Sequence, residues 1–174
     1  LLGHLGWLRG ALGAVLGIGC SAMVGWVLLG GNAAALPWLV APIGASAVLA
    51  FAVPASPLAQ PWPVIGGDLI SASIGFAMTH LLGPGIAACA LSVGLAIAAM
   101  SLARCLHPPG GACALLAPLG ATAAIPGGFL ITLAVNVLLL ALVAWLYNGL
   151  TGHPWPHRPV AVPPPPATPA LVTL

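Results

Sequence analysis

The chain has 174 residues, of which 61% are hydrophobic and only 2% are charged, with a formal net charge of +2. Soluble domains carry about a quarter charged residues, so this composition excludes a water-soluble domain and predicts a protein whose solvent is lipid. The small positive charge gives no basis for nucleic-acid binding. The four charged side chains are Arg9, Asp68, Arg104 and Arg158.

Four apolar runs are close to the length of about 20 residues that crosses a bilayer. They cover residues 5–29, 64–82, 86–103 and 129–147, and each ends at glycine, asparagine or arginine. We predict that each forms a full membrane-spanning helix.

Two further apolar stretches, 36–53 and 107–125, are interrupted by proline and glycine. Inside a bilayer, non-helical backbone is tolerated only where protein covers it or where it lines a water-filled cavity. We therefore predict two broken helices, either discontinuous or re-entrant, at a site of function.

The two halves of the sequence resemble each other. Residues 42–50 align with 109–117, and residues 66–71 align with 127–132. This order predicts a transmembrane domain at 1–151 that contains one repeat at about 5–83 and a second at about 84–150. Chance similarity between alanine- and glycine-rich stretches is the alternative.

The path of the broken segments decides the topology. If they dip in and return, the protein has four crossings and parallel repeats; if they cross, it has six crossings and inverted repeats. Only six crossings place Arg9, Arg104 and Arg158 on one side, so the positive-inside rule favours an all-α polytopic fold with 3+3 inverted repeats and cytoplasmic termini. Such repeats with discontinuous helices are typical of transporters. The proline-rich residues 152–174 are expected to form a tail outside the membrane.

The broken segments supply the first candidate binding residues. A proline at the first helical position opens a helix, and nearby glycines allow a small anion to approach backbone amides at the positive end of the helix dipole. A serine in the first segment adds a hydroxyl donor. The candidate substrate-binding residues are Pro42, Gly44, Ser46, His107, Pro109, Gly110 and Gly111. The alternative is that these residues only form packing kinks.

Three titratable or charged residues complete the candidate site. His107 can hydrogen-bond an anion or carry a proton with it, or it can simply cap a helix. Asp68 is the only carboxylate side chain. It either caps a helix start, forms a gating ion pair with Arg104, or binds a proton or cation.

Enzymatic chemistry has little support in this sequence. A single carboxylate provides neither an acid–base pair nor an acidic metal cluster, so we expect no enzyme, no metal and no cofactor. Cys20, Cys89, Cys105 and Cys113 lie in apolar runs and are expected to be packing residues.

Residues 106–112, Leu-His-Pro-Pro-Gly-Gly-Ala, resemble the signature of the HPP family of integral membrane proteins, and residues 41–49 and 54–68 also resemble that family. Members are usually described as four-spanning, which conflicts with six crossings. Photosynthetic members are associated with nitrite transport. The resemblance therefore implies a transporter or channel for a small inorganic anion, with nitrite as the leading candidate, in a bacterial inner membrane.

Two other functions stay open. One is a non-transporting scaffold or sensor subunit whose tail binds a partner, and the other is a small intramembrane enzyme. The expected partners are the anion, the lipid bilayer and further copies of the chain in a homo-oligomer.

Overall fold

The computed structural model describes residues 6–31, 39–123, 125 and 128–157, and within these ranges it contains six α-helices and no strand. A short 3₁₀ turn at Pro57–Ala59 precedes the third helix. The helices are α1 (Gly6–Leu28), α2 (Pro42–Ala52), α3 (Pro61–Leu82), α4 (Ile86–Leu102), α5 (Pro108–Leu116) and α6 (Phe129–Leu150). The prediction of an all-helical fold is confirmed.

Helix length separates the six helices into two groups. The helices α1, α3 and α6 have 23, 22 and 22 residues and are long and apolar enough to cross a membrane. The fourth predicted span, α4, has 17 residues, while α2 and α5 have 11 and 9. The structure thus gives three helices of full spanning length, where the sequence predicted four.

Prolines set where three of these helices begin. Proline lacks an N–H, so it fits the first turn of a helix, where the amides have no partner within the helix. The helix α5 begins at Pro108, one residue before the predicted Pro109, and α2 begins at Pro42 as predicted. The helix α3 begins at Pro61, three residues before the predicted span, because its first turn accommodates Pro61 and Pro63.

The face of α1 that packs against the bundle is made of small residues. Every buried residue of α1 is glycine or serine, while its large apolar side chains, such as Trp7 and Val15, are exposed. The ring of Phe51 on α2 lies so close to Gly13 and Gly17 that a Cβ atom at either glycine would come within 3 Å of it. Apolar residues outside and small residues inside are typical of helices that pack in lipid.

Hydrogen bonds bring several helix ends together at one end of the bundle, which we call the basal end. Arg9, near the start of α1, donates to Asn148 near the end of α6 and to the carbonyl of Phe51 near the end of α2, both at 2.8 Å. The indole of Trp62, in the first turn of α3, donates to the carbonyl of Ala103 just after α4, at 3.0 Å. The basal end therefore holds the starts of α1 and α3 and the ends of α2, α4 and α6.

The first part of the tail packs on this same end. The indole N–H of Trp155 donates to the carbonyl of Ala59 at 2.7 Å, and the Trp155 side chain is buried. The amide of His157 donates to the side chain of Gln60 at 2.7 Å. Residues 155–157 are thus docked on the 3₁₀ turn. Arg158 and the rest of the predicted tail lie outside the described residues.

The pairs of helices in contact follow a regular pattern. The helix α3 packs on α4, α5 and α6, while α6 also packs on α1 and α2. The short helices α2 and α5 contact each other, α1 packs on α2, and α4 packs on α5. Exchanging α1, α2 and α3 for α4, α5 and α6 reproduces the same set of pairs, in which the α2–α5 and α3–α6 pairs map onto themselves.

Candidate functional site

Asp68 lies in the middle of the bundle rather than at a helix end. It follows the first residue of α3 by seven positions, which corresponds to about 10 Å along the helix axis. Its side chain is fully buried. The expectation that Asp68 caps a helix start is therefore wrong, because α3 begins well before it.

Ser46 of α2 and His107 before α5 converge on this carboxylate. The Ser46 Oγ atom lies 2.8 Å from Asp68 Oδ2 and 3.0 Å from His107 Nε2, and the last two atoms are 3.8 Å apart. All three side chains are fully buried. The thiol of Cys113, on α5, donates to the other carboxylate oxygen, Oδ1, at 3.4 Å. We call Asp68, Ser46 and His107 the central triad.

The backbone around His107 explains its position. A residue before proline is restricted to extended conformations, and His107, which precedes Pro108, has φ −138° and ψ 112°. The chain is therefore extended up to the start of α5. On its other side, the ring places Nδ1 at 2.7 Å from the carbonyl oxygen of Leu58. That oxygen only accepts hydrogen bonds, so Nδ1 carries the hydrogen.

Glycines allow α3 and α5 to approach closely enough to form the triad. A Cβ atom at Gly67 would lie 2.5 Å from the Cβ of His107, and one at Gly110 would lie 2.7 Å from the hydroxyl oxygen of Ser71. Further along, a Cβ at Gly75 would overlap the carbonyl of Ala114. The contacts advance in the same direction along both helices, so α3 and α5 run parallel.

Two of the backbone amides that the sequence offered to an anion, those of Gly44 and Gly110, already have partners. The amide of Gly110 donates to the carbonyl of His107 at 2.9 Å, and Pro108 and Pro109 have no N–H. At the start of α2, the amide of Gly44 donates to the carbonyl of Ala41 at 3.1 Å. The predicted contact of an anion with these helix starts stays a prediction, and the side chains of the triad are the stronger candidates.

The structure brings together only part of the predicted site. Ser46 and His107 meet Asp68, while Gly44 is exposed and Gly111 has no heavy atom within 4 Å of a Cβ placed on it. Cys113 was not among the predicted site residues, although the repeat alignment pairs it with Ser46 and so contained the signal. The carbonyl of Leu58 had no sequence signal. Among the described residues, no group of three or more metal-ligating side chains could hold a metal ion.

Arg104 does not pair with Asp68, contrary to the gating interaction that the sequence suggested. Asp68 is buried against His107, whereas Arg104 is exposed at the basal end. Arg104 lines an open cavity of about 320 Å³ together with Ala55, Pro57, Gln60, Pro63 and His157. This cavity adjoins the 3₁₀ turn whose Leu58 carbonyl contacts His107.

The backbone of Arg104 is also unusual. It has φ +53°, the only positive φ at a non-glycine position among the described residues. The amide of Cys105 donates to the carbonyl of Met100 at 2.8 Å, and the amide of Arg104 donates to the carbonyl of Ser101 at 3.2 Å. These two hydrogen bonds form a Schellman helix end. Glycine usually occupies this position, so arginine here costs backbone energy.

The family model described as "HPP, transmembrane region" matches residues 3–156. The chain belongs to the HPP family. This confirms the resemblance carried by residues 106–112 and identifies the chain as an integral membrane protein.

Two relatives of this HPP protein are transmembrane proteins of Dictyostelium discoideum. One is 38% identical over 118 residues, which cover 64% of this chain and 38% of the relative. The other is 38% identical over 117 residues, which cover 64% of this chain and 41% of the relative. The matched region thus spans about two fifths of each relative. No solved structure matches the chain significantly.

Proposed function

We propose that this HPP-family protein is a membrane transporter or channel for a small inorganic anion, with nitrite as the leading candidate. The observation that carries the proposal is the central triad, a hydrogen-bonded aspartate, serine and histidine fully buried where two short helices meet inside an apolar bundle.

The free-energy cost of burying such a polar cluster in a membrane protein indicates a functional role. Ionisable side chains inside a membrane are rare because they lose their hydration, and they usually mark a substrate or ion pathway. The four charged residues of the chain include Asp68, and its carboxylate lies in the interior, where an apolar side chain would pack without this cost. Stability alone therefore does not account for Asp68 at this position.

Two inverted repeats that meet at this centre are part of the proposal. The helix pairs in contact map onto one another when the halves are exchanged. Ser46 and Cys113, which the repeat alignment pairs, bind the two oxygens of Asp68. At the basal end α1 and α3 begin, while α2, α4 and α6 end. This alternation of chain direction supports six membrane-inserted segments. Transporters with inverted repeats bind substrate near the midplane, between the repeats.

Two features of the described residues favour an anion. Arg104 places a positive charge in the open basal cavity, where it attracts anions towards the 3₁₀ turn. The hydroxyl of Ser71, one helical turn beyond Asp68 on α3, is buried without a hydrogen-bond partner. Its hydrogen is therefore available to a small polar ligand. A proton on the triad offsets the charge of Asp68.

Uptake into vesicles tests this proposal. The purified protein is reconstituted into liposomes, and the influx of nitrite, nitrate, formate and chloride is measured against protein-free liposomes. Nitrate is included because its conjugate acid is strong, so it does not cross lipid in a protonated form. Asp68→Asn is the test variant, and Ser73→Ala, at an exposed hydroxyl bound to its own helix, is the matched control.

Saturable influx of at least one anion, lost in Asp68→Asn and retained in Ser73→Ala, is the expected result. Influx no faster than in protein-free liposomes for the whole panel would overturn anion transport and leave the scaffold or sensor role as the alternative. Nitrite as the preferred anion would support the leading candidate, and another preferred anion would replace it.

A further inference from the structure

The central triad contains fewer hydrogens than its contacts require. His107 Nδ1 uses its hydrogen on the carbonyl of Leu58, at 2.7 Å. The hydroxyl of Ser46 has one hydrogen but two close partners, Asp68 Oδ2 at 2.8 Å and His107 Nε2 at 3.0 Å. The carbonyl of Pro42, at 3.4 Å from the same hydroxyl, is a more distant third neighbour. One further hydrogen is needed to satisfy both short contacts.

Two arrangements supply that hydrogen, and they contain the same number of protons. In the first, Asp68 is ionised and accepts from Ser46, while a doubly protonated His107 donates from Nε2 to the Ser46 oxygen. In the second, a protonated Asp68 donates to the Ser46 oxygen, and Ser46 donates to a neutral His107. Both arrangements satisfy every contact, and both leave the triad with no net charge.

The two arrangements interconvert by a balanced shift along the triad. The Oδ2–H bond of Asp68 breaks as that hydrogen binds Oγ of Ser46, while the original hydroxyl hydrogen leaves Oγ and binds Nε2 of His107. No atom is gained or lost, and the serine hydroxyl is restored. The two hydrogen-bond lengths place the three groups within range of such a shift.

Loss of the extra proton has two costs. Ser46 then donates to only one neighbour, so an oxygen lone pair faces either the carboxylate or the bare Nε2 atom, and one buried hydrogen bond is lost. The triad also becomes negatively charged inside the bundle, and among the described residues no cation lies beside it to offset that charge. Both costs disappear when a proton returns.

The surrounding groups leave the triad without a nearby charge among the described residues. Arg9 is bound to Asn148 and to the carbonyl of Phe51, and Arg104 is exposed at the basal end. The other titratable side chains on the elements packed around α3 are buried Cys105 and Cys113, half-buried Cys89 near the start of α4, and Tyr147 near the end of α6. The far end of α3 carries His80, which is exposed.

We propose that Asp68, Ser46 and His107 form a proton-binding site that shares one exchangeable proton, and that this proton is the ion coupled to anion movement. The second part rests on the proposed transport function. The contact between His107 Nδ1 and the carbonyl of Leu58 links this site to the 3₁₀ turn at the basal end. Any movement of Leu58 changes the partner of Nδ1 and with it the protonation of Nε2.

The proton on Asp68 can be followed by spectroscopy without interference from other acidic side chains. Asp68 is the only acidic side chain, so a carboxylic-acid band in the infrared spectrum of detergent-solubilised protein belongs to Asp68 or to the C-terminus. The spectrum of Asp68→Asn identifies the C-terminal contribution. Nitrogen-15 NMR of labelled histidine follows His107 in parallel, with His107→Gln used to assign its signals.

If the site shares one proton, the infrared band of Asp68 and the NMR signal of His107 should change together as the pH is varied, in a single transition that involves one proton. In Ser46→Ala the bridge is missing, and we expect two separate transitions. The control Ser101→Ala, whose hydroxyl bonds only within α4, keeps the single transition. Independent transitions in the unmodified protein, or a single transition that survives in Ser46→Ala, would overturn the shared site.

Coupling is measured separately in proteoliposomes loaded with a pH-sensitive dye. An inward nitrate gradient should drive protons inward in the unmodified protein, and Ser46→Ala should lower the ratio of protons to nitrate at least twofold. Nitrate influx with no proton movement would overturn coupling while leaving anion transport intact. A single shared transition without influx of any anion would overturn the transport function and its coupling, and leave the proton site standing.

Discussion

Ser46 and Cys113 bind the two oxygens of one carboxylate, that of Asp68, from two different short helices. Their distances to Oδ2 and Oδ1 are 2.8 Å and 3.4 Å. The two residues occupy aligned positions in the two halves of the sequence, whereas the position aligned with Asp68 is Phe129. The centre therefore combines two donors at aligned positions of the sequence with one acidic residue, whose aligned position holds no carboxylate.

The neighbouring glycines Gly110 and Gly111 should respond oppositely to alanine. A Cβ at Gly110 would lie 2.7 Å from Ser71 Oγ and 2.9 Å from the carbonyl oxygen of Gly67, so we expect Gly110→Ala to destabilise the protein by about 1–3 kcal/mol. Gly111→Ala meets open space and should be neutral or stabilising by about 0.5–1 kcal/mol, because alanine favours the helix. Unfolding in micelles measures both. Equal effects would contradict the close packing of α3 on α5.

Arg104 allows charge and backbone conformation to be separated. Arg104→Gly removes the charge but suits a φ of +53°, so we expect stability to rise by about 1 kcal/mol while anion influx falls about tenfold. Arg104→Lys keeps the charge and should keep most of the influx. Thermal unfolding and uptake on the same preparations give the two readouts. Normal influx in Arg104→Gly would show that this charge does not attract the substrate.

Trp155 should hold the tail on the basal end. Its side chain is buried and donates to the carbonyl of Ala59, so we expect Trp155→Ala to cost about 3 kcal/mol through lost packing. Trp155→Phe keeps most of the packing and should cost about 1 kcal/mol for the hydrogen bond. Unfolding midpoints in micelles measure both variants. An unchanged midpoint in Trp155→Ala would mean that the tail contributes nothing to stability.

Cysteine labelling tests whether the helices alternate across the membrane. In a background with Cys20→Ser and Cys89→Ala, only the buried Cys105 and Cys113 remain. A membrane-impermeant maleimide should label Arg104→Cys from the same side as His153→Cys, and Leu82→Cys from the opposite side. Labelling of Arg104→Cys and His153→Cys from opposite sides would rule out the six-segment topology.

Some of this architecture follows from the sequence alone. A composition of 61% hydrophobic and 2% charged residues leaves lipid as the only suitable solvent, and the length of each apolar run limits which helices can span it. Prolines determined where α2 and α5 begin, to within one residue, because proline is favoured only in the first turn of a helix. Residues 41–49, 54–68 and 106–112 together carried the resemblance to the HPP family, which the family match over residues 3–156 confirms.

Only the tertiary structure decided which polar residues meet. Asp68 and His107 follow Ser46 by 22 and 61 positions, and no local pattern specifies the contacts among the three residues. From the sequence, an ion pair with Arg104 was one of three alternatives for Asp68, beside a helix cap and a proton or cation site. The structure places His107 there instead, since Gly67 and Gly110 let α5 approach α3 while the Schellman end of α4 directs Arg104 outward. Close packing of backbones, a property of pairs of helices, determined the site.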